Sequence, residues 1–162
     1  MTSYFPDVNT WLALAWEGHV HHGAATAWFE SAPEPSRFMF SRYSQLGLLR
    51  LVTNAQVMGD SVVSLQDAFA LYDRLLEDPR IELKAEPRGL DELMRAAARP
   101  FARQPATKAV GDLYLIAVAV AAQAIMVTFD RTMARVLRAQ QHPVLLLSDR
   151  SRQTHAPTTE ME

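Results

Sequence analysis

Cysteine is absent from the 162-residue chain, which excludes disulfides, thiolate nucleophiles and cysteine-held zinc or iron–sulfur sites. Glycine is scarce: Gly18, Gly23, Gly47, Gly59, Gly89 and Gly111 are scattered, so neither a P-loop nor a dinucleotide fingerprint is present. Long apolar runs are missing too. The longest, Leu113 to Val127, is about 15 residues and contains Gln123, short of the ~20 that a membrane span needs. Residues 1–7 carry neither the basic start nor the apolar stretch of a secretion signal. A cytoplasmic location with no membrane contact is therefore expected. There is no strong excess of one charge either: the formal net charge is −2 and the pI about 6.2, so the surface as a whole is not a trap for polyanions.

What is present is the balance of one globular domain, with 49% hydrophobic and 21% charged residues. Basic residues are mostly arginine, with only Lys84 and Lys108 as lysines. Some are grouped: Arg88, Arg95, Arg99, Arg103 and Lys108 in one set, Arg131, Arg135 and Arg138 in another. A planar guanidinium suits phosphate, but a solvated helix face is the favoured reading of such groups taken alone.

Short apolar runs alternate with helical patterns. Strands are expected at Tyr4–Val8, Arg37–Phe40, Ile81–Lys84, Ile125–Phe129 and Val144–Leu147. Helices are expected over Asn9–Trp16, His21–Ser31, Ser41–Asn54, Ser64–Glu77, Leu90–Ala98, Asp112–Ala122 and Thr132–Arg138. Ser64-Leu65-Gln66-Asp67 fits a helix-capping pattern. Strands interleaved with helices predict an α/β fold, a central mostly parallel sheet of about five strands with helices on both faces. The folded domain is expected to span residues 1–148, followed by a polar, disordered tail over 149–162.

In an open parallel sheet, ligands gather outside the carboxyl ends of the strands. Three aspartates are expected there: Asp7 closing the first strand, Asp130 following the fourth, and Asp112 opening the helix that leads into it. Each precedes a helix and could simply be a cap. Together they predict converging carboxylates, within about one coordination shell, which repel unless cations neutralise them. Oxygen donors of this kind suit a hard cation, Mg²⁺ or Mn²⁺.

Four segments in register carry a family resemblance: Asp7-Val8-Asn9, Ser44-Gln45-Leu46-Gly47-Leu48-Leu49-Arg50-Leu51-Val52-Thr53-Asn54, Asp112-Leu113-Tyr114-Leu115 and Val127-Thr128-Phe129-Asp130-Arg131. The set resembles PIN-domain ribonucleases of the VapC type, the toxins of bacterial toxin–antitoxin pairs, over about residues 4–148. The resemblance implies a Mg²⁺-dependent endoribonuclease, with Mn²⁺ able to substitute and Asp7, Asp112 and Asp130 as catalytic and metal-binding residues. It implies hydrolysis by a metal-activated water that leaves a 3′-hydroxyl and a 5′-phosphate. RNA as substrate, a cognate antitoxin as protein partner and a homodimer follow from the same resemblance. Thr128, with Asn9, would orient a ligand or water; a β-branched residue in a strand needs no such role.

Gln45 departs from the pattern, because many members have a fourth carboxylate, a glutamate, at this position. With Leu48 and Leu49 at i+3 and i+4 its amide is expected to point inward. The departure leaves open one-metal chemistry, or a catalytically weakened PIN-like domain that binds an antitoxin or RNA without efficient cleavage. A metal-dependent phosphatase is a third reading, opposed by Asn9, since aspartyl-phosphate chemistry would use an Asp-x-Asp pair. His19, His21 and His22 lack the i, i+4 spacing of a helical metal pair and are expected to be solvated capping residues. Arg50 is expected to pair within the domain rather than to meet substrate. Trp11, Trp16 and Trp28 are expected in the core; the alternative for some of Trp11, Leu14 and Trp16 is the lining of a groove for a partner helix.

Overall fold

A computed structural model describes residues 1–101 and 109–148. The chain begins with β1 (Thr2–Pro6), α1 (Val8–Ala15), α2 (His22–Ser31) and β2 (Ser36–Phe40). Next come α3 (Arg42–Val52), the short α4 (Ala55–Met58), α5 (Leu65–Leu76), β3 (Ile81–Leu83) and α6 (Leu90–Ala98). It ends with α7 (Ala109–Ala121), β4 (Ile125–Thr128), α8 (Arg131–Ala139) and β5 (Val144–Leu146). The five strands form one sheet in the order β3-β2-β1-β4-β5, and every neighbouring pair is parallel. The expected architecture is therefore present, with a fully parallel sheet. The expected tail over 149–162, and Arg103 and Lys108 of the basic group, lie outside the described residues.

Strand side chains alternate between two cores, as the period of two requires. Tyr4, Phe38, Phe40 and Val127 pack with Trp11 and Leu12 of α1, Leu48, Leu49 and Val52 of α3, and Ala68 and Tyr72 of α5. Phe5, Met39 and Met126 face the other way, against Ala97 of α6, Leu115, Ile116 and Ala119 of α7, and Met133 and Leu137 of α8. Burial on both faces is what a parallel sheet demands and why its strands read as apolar runs. Trp11 is fully buried and stacks on Phe40, whereas Trp16 and Trp28 are partly buried against the same core. Among the described residues no helix is long and apolar enough to cross a membrane.

Helix starts are set by caps. Ser41 and Ser44 form a reciprocal capping box on α3, and Ser64 accepts from the Asp67 amide at the head of α5. Strand β1 begins and ends two residues earlier than its sequence pattern predicts, because Asp7 caps α1 and draws Val8 into the helix. The histidines of the α1–α2 connection are tied down. His22 Nδ1 lies 2.8 Å from the Ala13 carbonyl, and the His21 ring stacks on Phe129 at 4.3 Å. They are not the solvated caps expected, since the His21 side chain makes no capping hydrogen bond on α2.

Candidate active site

The β1–β4 pairing puts the carboxyl ends of two central strands side by side, with Pro6 opposite Val127. Asp7 leaves the end of β1 and Asp130 follows β4 by two residues; each caps the helix after it, α1 and α8. Capping and site-building are thus the same placement rather than alternatives. Helix α7 runs back across the sheet into β4, so its first turn, which carries Asp112, lies at the same edge. Asp112 sits inside that turn, four residues into a helix that begins at Ala109, and does not open it as expected.

Asp7 is buried. Its Oδ1 accepts from the Thr10 amide at 2.7 Å, and its Oδ2 accepts from the Thr128 hydroxyl at 2.6 Å. The Thr128 oxygen in turn accepts from the Asp130 amide at 2.9 Å. Thr128 therefore links the two strand ends and fixes one carboxylate rather than facing solvent. Asp130 is exposed, and its Oδ1 accepts from the amides of Thr132 (2.6 Å) and Met133 (3.1 Å).

The charges feel one another. Burial pushes the Asp7 carboxyl above its ordinary range, opposed by hydrogen bonds from Thr128 and Thr10 and aided by the Asp130 charge. Asp112, half-buried, is pushed up to about 6, first by burial and then by the charges of Asp130 and Asp7. All three, with Asn9, line an open cleft of ≈ 220 Å³. They do not close into one coordination shell: among the described residues no three His, Cys, Asp or Glu side chains are gathered tightly enough to hold an ion between them. Asp7 is held by Thr10 and Thr128 and Asp130 by α8, so each carboxylate stays with its own element. The donors are nonetheless right for Mg²⁺, which takes oxygen ligands, binds through one or two carboxylates and keeps several waters.

Gln45 does not join them. Its side chain is buried, accepts a hydrogen bond from the Arg42 guanidinium, and is not among the cleft-lining residues. The reason is helical geometry. Tyr43, Gly47 and Arg50, at i, i+4 and i+7, form the α3 face that borders the cleft, and position 45 lies about half a turn away from it. Sequence reasoning missed Tyr43 and Gly47 as site residues, although their spacing with Arg50 marks that face. It also expects Arg50 to be paired; among the described residues its guanidinium makes no hydrogen bond or ion pair.

A parallel α/β sheet with acidic side chains converging at its central carboxyl edge defines the class, and a family model for the PIN domain matches residues 4–138: the chain belongs to the PIN-domain family. It is 42% identical over 128 residues to Ribonuclease VapC41 of Mycobacterium tuberculosis, covering 76% of this chain and 86% of that protein. Its fold is similar to that of VapBC-1 from nontypeable Haemophilus influenzae, with a TM-score of 0.66 and 12% identity over 90% of this chain and 98% of that one. It is also similar to M. tuberculosis VapC20, described as a sarcin–ricin loop cleaving toxin, with a TM-score of 0.60 and 20% identity over 82% of this chain and 93% of that one.

Proposed function

We propose that the protein is a VapC-type endoribonuclease, the toxin of a toxin–antitoxin pair, and that it hydrolyses RNA phosphodiester bonds with Mg²⁺, or Mn²⁺ in its place. The observation that carries the reading is the single cleft lined by Asp7, Asp112 and Asp130 at the carboxyl edge of β1 and β4. Kinship with a protein named a ribonuclease supports the reaction, and the likeness to a VapBC complex supports an antitoxin as partner. A homodimer follows from the family resemblance alone.

Asp112 and Asp130 present oxygens toward the cleft, and Asp7 backs them from its buried position at the end of β1. A divalent cation held there would supply an acidified water and neutralise charge at the phosphorus. Thr128 fixes the Asp7 carboxylate through its hydroxyl, so that acid meets the cleft in one orientation. Asn9, exposed on the first turn of α1, offers an amide to substrate or water at the cleft mouth. The weakened-domain reading rested on Gln45, whose amide is engaged with Arg42, and no observation favours it.

The test is degradation of total RNA by the purified chain with Mg²⁺, with EDTA, and after Asp7→Asn. Asparagine keeps a capping side chain, so the fold survives. Cleavage that needs Mg²⁺ and disappears in the variant is expected, together with relief of growth arrest in cells expressing it. Undiminished cleavage by a folded Asp7→Asn protein, or cleavage indifferent to EDTA, would refute the proposal.

A further inference from the structure

Arg50 stands on the α3 wall of the cleft, exposed, opposite three carboxylates, and it binds none of them. Arg80 forks onto Asp78, Arg95 pairs with Asp91 and Arg42 holds Gln45; what sets Arg50 apart from the other described arginines is that it lines the cleft. Arg50 thus borders the acidic cleft with its guanidinium uncommitted. What brings it there lies one turn earlier on the same helix face. A Cβ at Gly47 would lie 2.8 Å from both γ-carbons of Val8, so only glycine lets α3 settle against the start of α1. That packing sets Arg50 beside the Asp7–Asn9 lip. Tyr43, one turn before Gly47, closes the other end, tilted against Tyr114 at 5.2 Å.

Charge decides what such a wall meets. Three carboxylates and one divalent cation still leave a negative balance, so an incoming phosphodiester is repelled unless another cation is within reach. Arg50 supplies that charge permanently and in a fork matched to two phosphate oxygens. The cleft is open and below the ~300–1,000 Å³ of enclosed small-molecule pockets, a shape for a chain segment passing through rather than a ligand engulfed. We propose that Arg50 grips the non-bridging oxygens of an RNA backbone phosphate as the strand crosses the cleft. The inference rests on the ribonuclease reading for the identity of the polymer.

The experiment measures binding of a short, fluorescein-labelled, random-sequence single-stranded RNA in Mg²⁺, in the Asp7→Asn background that prevents turnover. Arg50→Gln is expected to weaken affinity about tenfold, and to lower the slope of log K against log salt by about 0.7, the value of one lost phosphate contact. Arg50→Lys keeps the charge, so it should retain the slope and most of the affinity. Melting profiles should be unchanged, since the Arg50 side chain has no partner among the described residues to lose. Equal affinity and slope for Arg50→Gln would overturn the assignment, also if that variant instead lost a protein partner. So would equal losses in Gln and Lys variants accompanied by a lowered melting temperature, which would mark a structural role. Total RNA left intact by the parent, with the Arg50 dependence present, would refute the ribonuclease reading and leave the phosphate contact standing.

Discussion

Replacing Asp112 by asparagine should abolish cleavage and at the same time make the protein more stable at neutral pH. Folding moves this carboxyl from an ordinary value near 3.9 to about 6, through burial first and then the neighbouring charges of Asp130 and Asp7. Between those two values the native state holds more of the proton than the unfolded chain does. Stability therefore falls as pH rises through this window and levels off above it. A shift of this size corresponds to roughly 3 kcal/mol at most; the group is only half-buried, so solvent screening reduces this to about 1–2 kcal/mol. Asparagine cannot ionise, and it removes the cost. For a domain of this length the gain is roughly 3–6 °C in melting temperature. Melting curves in EDTA from pH 4.5 to 8 provide the assay. The difference between Asp112→Asn and parent should be largest above about pH 7 and shrink to roughly a third of that by pH 4.5, since it is lost completely only below the unfolded-state value near 3.9. A variant no more stable than the parent at neutral pH would refute the reasoning, as would an advantage that persists undiminished in acid.

Thr128→Val removes the hydroxyl that holds Asp7 and receives the Asp130 amide; a loss of about 1.5–3 kcal/mol is expected, read by denaturant unfolding, with Thr128→Ser close to the parent. Gln45→Glu places its new charge beside Arg42 rather than in the cleft, so the rise in melting temperature on titrating Mn²⁺ should equal the parent's; a larger rise would mean that position 45 reaches the metal.

The alternation of apolar runs with helical patterns specified a parallel α/β sheet because strands buried on both faces carry their signal locally. The carboxylate cleft was legible for a topological reason: residues after parallel strands share one edge whatever the loops do. Side-chain direction was less so. Gln45 looks inward from its apolar neighbours at i+3 and i+4, and inward is correct, but that side of α3 meets the Arg42 guanidinium and not the acids. Arg50 is not legible in the same way, because a lone arginine on a helix face says nothing of what lies opposite, here Asp7 and residues of α1 and α7. Asp112 was assigned to a helix start because aspartate favours caps; the apolar residues that pack α7 continue on either side of it, and helix α7 begins three residues earlier.

The hydrogen bond from Thr128 to Asp7 joins residues 121 positions apart, and β4 inserts beside β1, which precedes the sheet's other strands in chain order. Contacts of such long sequence separation form late, because loop closure must be met before they contribute anything. A ribosome that has made β1, β2 and β3 therefore carries a cleft that is still incomplete. Asp7 directly follows β1, yet its hydroxyl partner Thr128 and the other two acids of the cleft follow β3 in the chain. If the cleft cuts RNA, a product that stops short of β4 lacks both Thr128 and Asp130 and cannot assemble it.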